Sequence, residues 1–341
     1  MKTLLRLLLK SQNQRNRSGL PQTEKGMTLV ELLVGAIMAF LIITPMLGFV
    51  VDMLNTDRRE QVKSNTEQDL QAAVDFIAQD LSQAIYIYDG KGINDIKNQL
   101  PPSDATKTPI LVFWKRQQIE KSVPINSTIE KPKNCDASKC NDTYVLSLVA
   151  YYQFKEPDPK SIWCQPSGGD CPTRIARYEI RDGVKNPSTL AYYVDDDTTI
   201  GQRKDPAFNE KFDPSKPKEN VTDVAGLAKD ESGAKNPQVL VNYIDHSTVA
   251  VPAPPDCKTT LGVQDLPAPA LPLTQADLLI ADNSTNSFYA CVDTSKNLAR
   301  VTIRGNSLRR LQPNNADFKT TSSAYFPTAT VQVQGLGAAG K

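Results

Sequence analysis

The longest apolar run of the chain lies near its amino terminus. Residues 32–51 are 20 consecutive residues without a charge. A helix of that length spans about 30 Å, the thickness of the hydrocarbon layer of a bilayer. Core helices of soluble proteins rarely run this long without a polar face, so we expect a transmembrane helix here.

A helical pattern continues beyond this run as a narrow apolar stripe on an otherwise polar segment. The stripe steps by three and four residues, the spacing of one helix face. Its members are Leu70, Val74, Ile77, Leu81, Ala84 and Tyr88. Asp89-Gly90 is typical of a helix stop. We therefore expect the helix to continue to residue 89 and its stripe to pack on the protein's own sheet.

The rest of the chain alternates short apolar runs with long polar loops, a pattern that predicts strands. The expected strands are 110–114, 144–154, 174–181, 239–244, 278–281, 287–292, 299–304 and 328–333, with a hairpin at 293–297. Residues 183–236 and 246–275, rich in Pro, Asp and Lys, predict excursions or lids. The fold class expected is α+β, a long N-terminal transmembrane helix packed on antiparallel sheet with long loops.

The charge distribution orients the apolar run. Residues 1–26 hold six basic residues and one acid, and such a cluster stays in the cytoplasm by the positive-inside rule. A cleaved secretory signal is the alternative, but its apolar region runs only about 7–15 residues and ends at a small-residue site. The whole chain has 39 basic and 38 acidic residues and is nearly neutral. It therefore lacks the excess of basic residues that a nucleic-acid-binding protein needs.

Glu31 stands at the very start of the apolar run. An acid there is costly in lipid unless it finds a partner, which makes it a candidate functional residue. Alternatively, its carboxylate sits in the headgroup zone. The residue pattern alone leaves both interpretations open.

The string Lys25-Gly26-Met27-Thr28-Leu29-Val30-Glu31 resembles the prepilin peptidase site of type IV pilins and type II secretion pseudopilins. The resemblance implies cleavage after Gly26 on the cytoplasmic side and N-methylation of Met27. It also implies that Glu31 pairs, on assembly, with the α-amine at Met27 of a neighbouring subunit. The chain departs from many family members in its longer leader, and in carrying Pro45 three residues before the usual proline position, where Gly48 stands. We expect a helix bend near these two residues.

The resemblance extends past the membrane. Residues 66–84 look like the second half of the long helix in larger minor pseudopilins of the J or W type. The start of the helix, together with 55–61, 86–89, 111–116 and 147–152, is most similar to pseudopilins of the hormogonium polysaccharide secretion system in filamentous cyanobacteria. The likeness covers most of residues 26–182. It implies a structural subunit, not an enzyme, of a pilus-like filament that supports polysaccharide secretion and gliding motility.

This resemblance implies a division of the chain and a set of partners. We expect a leader at 1–26, a transmembrane and assembly helix at 27–53, its extracytoplasmic continuation at 54–89, a β-rich head at 90–334 and a frayed tail at 335–341. The protein is then a single-pass protein of the inner membrane before it enters the filament. Its partners are a prepilin peptidase, other pilins or pseudopilins and, indirectly, an assembly ATPase and a platform protein.

Two other functions remain open. One is a minor pilin of a twitching or DNA-uptake pilus. The other is a membrane-anchored extracytoplasmic enzyme or sugar-binding module, in which Trp114, Trp163, Tyr151 and Tyr152 would stack on sugar rings. Aromatic residues in strands are more often core residues, which is the interpretation we favour.

The six cysteines all follow the apolar run, and an extracytoplasmic location makes disulfides plausible. Six cysteines allow 15 pairings. Sequence proximity favours Cys135–Cys140, Cys164–Cys171 and Cys257–Cys291. A metal site built on cysteine is disfavoured because the chain lacks Cys-x-x-Cys spacing.

Other candidate chemistry is weak. The single histidine, His246, excludes a multi-histidine metal site, and in Asp245-His246-Ser247 consecutive residues rarely converge in triad geometry. We expect a surface histidine. The acidic strings 89–95 and 195–197 fit no EF-hand pattern and predict solvated turns. The Gly-x-Gly-x-x-Gly string at 335–340 has no following helix to hold a pyrophosphate. We therefore expect no catalytic residue, metal or cofactor.

Overall fold

The computed structural model describes residues 28–101, 103–126, 138–193, 203–229, 237–264, 272–282 and 284–339. These residues fall into two compact units that divide between Asp57 and Arg58. Helix α1, Leu29–Ser82, runs through this division. The first unit consists of the amino-terminal part of α1, and the second holds the rest of α1 and all strands, which we call the head.

The head contains two antiparallel sheets, each ordered as its strands follow in the chain. The first sheet comprises β1 Ala84–Ile87, β2 Lys107–Pro124, β3 Cys140–Lys155, β4 Thr173–Arg181 and β5 Gln238–Ile244. The second comprises β6 Leu279–Ala281, β7 Phe288–Asp293, β8 Leu298–Arg304 and β9 Thr328–Gln334. Short helices connect them: α2 Gly90–Ile96, α3 Val224–Lys229, α4 Cys257–Leu261, α5 Gln275–Leu278 and α6 Leu308–Leu311. The fold is α+β with antiparallel sheets, as predicted.

The second half of α1 is built into the head through its apolar stripe. The buried members of the stripe on α1 are Leu70, Val74, Ile77 and Leu81, and they belong to one cluster with residues of both sheets. The helix approaches the end of β8 closely, because a Cβ on Gly305 would lie 2.8 Å from Thr66 Cγ2. The expectation that the stripe packs on the protein's own sheets is confirmed.

A buried ion pair ties the two sheets together where β5 ends. The Arg304 Nε of β8 donates to Asp245 Oδ2 at 2.8 Å, and both side chains are nearly inaccessible to solvent. A backbone bridge between Ile244 and Gly305 lies beside it. Loss of either charged partner would leave the other buried and unpaired, which is strongly destabilising.

The helix ends seven residues before the predicted boundary at residue 89. Residues 84–87 instead form β1, which pairs with β2 through Tyr86 and Trp114. Ala84 and Tyr88 are buried in the same cluster as the stripe. The apolar positions therefore kept the three-and-four spacing of a helix although the backbone had become a strand. The acidic turn starts helix α2, since the backbone N–H of Gly92 donates to Asp89 Oδ1 at 2.7 Å.

The carboxyl-terminal residues also differ from the prediction of a frayed tail. Leu336–Ala339 form a 3-10 turn, and the backbone N–H of Gly335 donates to the carbonyl oxygen of Asn297 at 2.9 Å. A Cβ on Gly337 would lie 1.8 Å from the carbonyl oxygen of Ile85. The absence of a side chain therefore lets the tail lie directly against β1. Residues 340–341 lie outside the described part of the chain.

Part of the predicted excursion after β4 covers the aromatic core of the first sheet. The ring of Phe212 stacks on Trp114 with centroids 3.8 Å apart, and Phe208 meets the same indole edge-on. The Tyr88 hydroxyl accepts from Trp114 Nε1 at 3.0 Å and donates to the carbonyl oxygen of Pro217. The segment acts as a fixed cover over Trp114.

Two of the expected disulfides are present. Cys164–Cys171 closes a loop with a sequence separation of 7 residues, and Cys257–Cys291 joins α4 to β7 across a separation of 34 residues. Cys140 also lies in a disulfide. Its expected partner, Cys135, lies outside the described residues.

The two disulfides are expected to contribute unequally to stability. Chain entropy favours the bond that closes the longer loop, so replacing Cys257 and Cys291 with alanine should cost about 4 kcal/mol. The same double replacement of Cys164 and Cys171 should cost about 2 kcal/mol. Urea unfolding of the full chain in detergent micelles measures both, and the reverse order of stability losses would contradict the loop-length argument.

Candidate functional site

The first turn of α1 satisfies its own backbone through Thr28. The N–H of Glu31 donates to Thr28 Oγ1 at 3.3 Å, and the N–H of Leu32 donates to the Thr28 carbonyl oxygen at 3.1 Å. Thr28 therefore caps the helix, and Thr-x-x-Glu is the sequence signature of a capping box. We did not predict this role for Thr28, although the three-residue separation of Thr28 and Glu31 is a visible signal in the sequence. Gly26 and Met27 lie outside the described residues, so cleavage and methylation stay predictions.

The first half of α1 exposes an apolar surface around its whole circumference. Every residue from 28 to 60 is solvent-exposed, and α1 is long and apolar enough to be a candidate membrane span. Soluble monomers rarely expose contiguous apolar patches larger than a few hundred Å². By length and composition, this surface is that of a candidate membrane span.

Polar atoms within this segment are largely satisfied by the helix itself. The Thr44 hydroxyl donates to the carbonyl oxygen of Phe40 at 2.8 Å, which suits an apolar environment. Pro45 and Gly48 lie inside α1 without ending it. The bend expected at these two residues stays a prediction.

Glu31 is the acid of this segment that most needs a partner. Its side chain is exposed in the first turn of α1, where a negative charge is favourable beside the positive end of the helix dipole. Among the described residues, no basic group forms an ion pair with its carboxylate. If the Glu31 carboxylate enters an apolar layer, its charged partner would come from outside the described residues.

A buried ionic cluster fixes the second half of α1 to the first sheet. Asp80 Oδ1 lies 2.8 Å from Lys115 Nζ, and Asp80 Oδ2 lies 2.7 Å from Arg177 Nε. The Tyr151 hydroxyl donates to the same Oδ2 at 2.7 Å. Because these three partners come from β2, β4 and β3, one carboxylate joins the helix to three neighbouring strands.

The charges of this cluster hold Asp80 ionised. Burial works to raise the pKa of Asp80, but the positive charges of Arg177 and Lys115 outweigh it, and the net pKa lies below the ordinary value. Burial and the Asp80 carboxylate raise the pKa of the Tyr151 hydroxyl well above its usual range. The hydroxyl therefore keeps its proton and remains a donor. Sequence reasoning missed Asp80, whose only signal was an acid beside the apolar stripe.

The aromatic residues considered for sugar stacking are mostly core residues. Trp114, Tyr151 and Tyr152 are completely buried, so none can stack on an external sugar ring. Trp163 is half-buried, with the guanidinium of Arg174 lying 5.3 Å from its ring centroid. This burial favours the interpretation of these aromatic side chains as core residues over their use in stacking on a sugar.

The residues of the Asp-His-Ser string do not form a triad. The Ser247 hydroxyl donates to Asp245 Oδ1 at 2.6 Å and accepts from the backbone N–H of Phe318 at 2.6 Å. No hydrogen bond joins Ser247 to His246 among the described residues. The prediction of a surface histidine is wrong, because only 9% of the His246 side chain is exposed.

The described acidic string is used for structure. Asp89 caps α2, and Asp95 pairs with Lys218 at 2.7 Å. The second string, 195–197, lies outside the described residues.

Comparison of the chain with models of protein families, with curated proteins and with solved structures gave no match.

Proposed function

We propose that this chain is a structural minor pseudopilin. A prepilin peptidase would cut it after Gly26 and methylate Met27, and the mature protein would enter a pilus-like filament. The observation that carries the proposal is α1, in which an exposed apolar first half begins at Glu31 and a second half is built into the head. This layout suits a subunit that is stored in the membrane and then stacked through its helix.

The proposed assembly step rests on charge neutralisation. The basic leader stays in the cytoplasm, so cleavage after Gly26 creates an α-amine on that side of the membrane. The Glu31 carboxylate of one subunit would pair with the Met27 amine of its neighbour. Each charge is costly in lipid, so pairing would favour association of the subunits over dispersal in the bilayer.

The size of the head favours a minor subunit near the filament tip over a repeating subunit of the shaft. Two sheets and the cover over Trp114 add bulk to every copy, and such heads would crowd along a shaft. The proposed partners are the peptidase, other pilins or pseudopilins and, indirectly, the assembly ATPase and platform protein. The filament would serve polysaccharide secretion and the gliding motility that depends on it.

Deletion of the gene in its native host tests this function. We expect loss of exported polysaccharide and of gliding, with type IV pili still present on the cells. Complementation with the unaltered gene is the control and should restore both. Loss of twitching or DNA uptake with normal polysaccharide export would contradict the proposed system and favour a minor pilin.

A further inference from the structure

Three loops of the head bring one imidazole and two carboxylates together. Asp170 belongs to the loop closed by Cys164–Cys171, His246 follows β5, and Asp317 follows α6. One donor atom from each of these side chains lies within 4.8 Å of the other two. His246 Nε2 and Asp317 Oδ1 are 3.6 Å apart, too far for a hydrogen bond.

The His246 side chain is largely buried, and only its Nδ1 atom has a hydrogen-bond contact among the described residues. Only 9% of the His246 side chain is exposed. Its nearest hydrogen-bonding contact among the described residues is Asn306 Nδ2, at 3.5 Å from Nδ1. That contact leaves Nε2, which lies 3.6 Å from Asp317 Oδ1, as the ring nitrogen available to a ligand.

A fully buried arginine fixes the loop that carries the first carboxylate. Arg309 Nε donates to the carbonyl oxygen of Asp170 at 2.7 Å. One of its terminal nitrogens donates to the carbonyl oxygens of Pro166 at 2.8 Å and Gly168 at 2.7 Å. The disulfide Cys164–Cys171 closes the same loop. Asp170 therefore sits on a backbone that is held at several points.

The other carboxylate is anchored to the histidine loop. Asn306 Nδ2 donates to the carbonyl oxygen of Ala316 at 2.7 Å, and the N–H of Phe318 donates to Ser247 Oγ at 2.6 Å. These bonds fix the residues on both sides of Asp317 and tie them to the neighbour of His246. All three side chains thus stand on restrained backbone, as a built ligand site requires.

We propose that Asp170, His246 and Asp317 bind a divalent transition-metal ion such as Zn²⁺. His246 Nε2 and one oxygen from each carboxylate would be the ligands, and water would fill the open positions. Imidazole nitrogen suits zinc and its neighbours, whereas magnesium and calcium prefer oxygen alone.

The spacing of the donors suits this ion. Zinc binds nitrogen and oxygen at about 2 Å, which places two ligands of one tetrahedral ion about 3.3 Å apart. The two carboxylates are on the accessible side of the site, and Asp317 is 53% exposed. Binding would require the exposed carboxylates to rotate so that the donors, now within 4.8 Å of one another, meet at the ion. No spacing pattern along the chain indicates this site, because its ligands are 76 and 71 residues apart.

The single histidine of the chain makes a direct test possible. The full chain is produced with ¹⁵N-labelled histidine, purified in detergent micelles through a tag without histidine, and titrated with Zn²⁺. We expect one imidazole nitrogen signal to move to the position of a metal-bound nitrogen. An unmoved signal in excess Zn²⁺ would overturn the proposal.

Variants then test the carboxylates. In calorimetric titrations with Zn²⁺, Asp317→Asn and Asp170→Asn should each weaken binding more than about tenfold, since even indirect ligand contacts contribute that much. Asp75→Asn, an exposed substitution on α1, is the matched control and should bind as the unaltered protein does. Circular dichroism establishes that each variant is folded. Equal zinc affinity in all three variants would contradict the site.

Discussion

Glu31→Ala is expected to leave membrane insertion intact and to exclude the protein from filaments. The apolar run that drives insertion follows Glu31 and is unchanged by the substitution. Without the carboxylate, the α-amine of the neighbouring subunit would remain charged and unpaired in an apolar environment, which is unfavourable. Quantifying the protein in membrane fractions and in sheared filaments measures both effects.

Two further substitutions separate charge pairing from helix capping. Glu31→Gln removes the charge but keeps a side chain that can serve in a capping box, so we expect it to fail like Glu31→Ala. Asp52→Asn, at the other end of the apolar run, is the matched control and should assemble normally. Normal incorporation of Glu31→Gln would contradict the pairing mechanism. The role of Glu31 would then be to form the capping box with Thr28 at the start of the helix.

Asp80→Ala is expected to destabilise the head by about 3–5 kcal/mol, because removing one partner of a buried pair leaves uncompensated charge. Lys115 and Arg177 would both lose their shared carboxylate. Asp75→Ala, an exposed acid one turn earlier on the same helix, should change the stability by no more than about 0.5 kcal/mol. Urea unfolding of the full chain in micelles compares the two.

Equal effects of these two substitutions would contradict the role assigned to the ionic cluster. A second comparison guards against a variant that does not fold. Replacing Asp80, Lys115 and Arg177 together with apolar residues of similar size removes the two cations that Asp80→Ala leaves without their carboxylate, and such replacements are often neutral or stabilising. Glu179, which pairs with Arg177 at 2.7 Å, is partly exposed and can turn to solvent. We expect the triple variant to be more stable than Asp80→Ala.

The same cluster predicts a loss of stability in acid. Because the pKa of Asp80 is lower in the folded chain, its contribution is complete above the ordinary carboxyl pKa of about 3.9. The contribution disappears as the pH falls through the lowered folded-state pKa. Urea midpoints between neutral pH and pH 3 should therefore fall more steeply in the unaltered protein than in Asp80→Ala, and parallel curves would contradict this linkage.

The periodicity of apolar residues correctly predicted the helices and strands that bury one continuous face. The apolar stripe from Leu70 to Leu81 and strands such as β4 and β8 each present a continuous buried face. Periodicity failed at residues 84–88, which were predicted as helix but include strand β1. Ala84 and Tyr88 are buried in the core, as the helical spacing predicted, so their burial alone did not distinguish a helix from a strand. There, pairing with Trp114 and its neighbours on β2 decided the conformation.

The contacts of the site were less visible in the sequence. Thr28 and Glu31 form a local signature, but Asp80 meets Lys115 and Arg177 only after three strands align. The docking of the tail likewise depends on Gly337 meeting the backbone of Ile85. Contacts between residues far apart in the chain depend on tertiary geometry, which no spacing rule along the chain reports.

The most direct test of the proposed function is the amino-terminal mass of the protein isolated from its native membranes. The account predicts a chain that begins at an N-methylated Met27. A chain that still begins at Met1, or that is cut at another position, would contradict processing by a prepilin peptidase and favour an anchored enzyme or binding module.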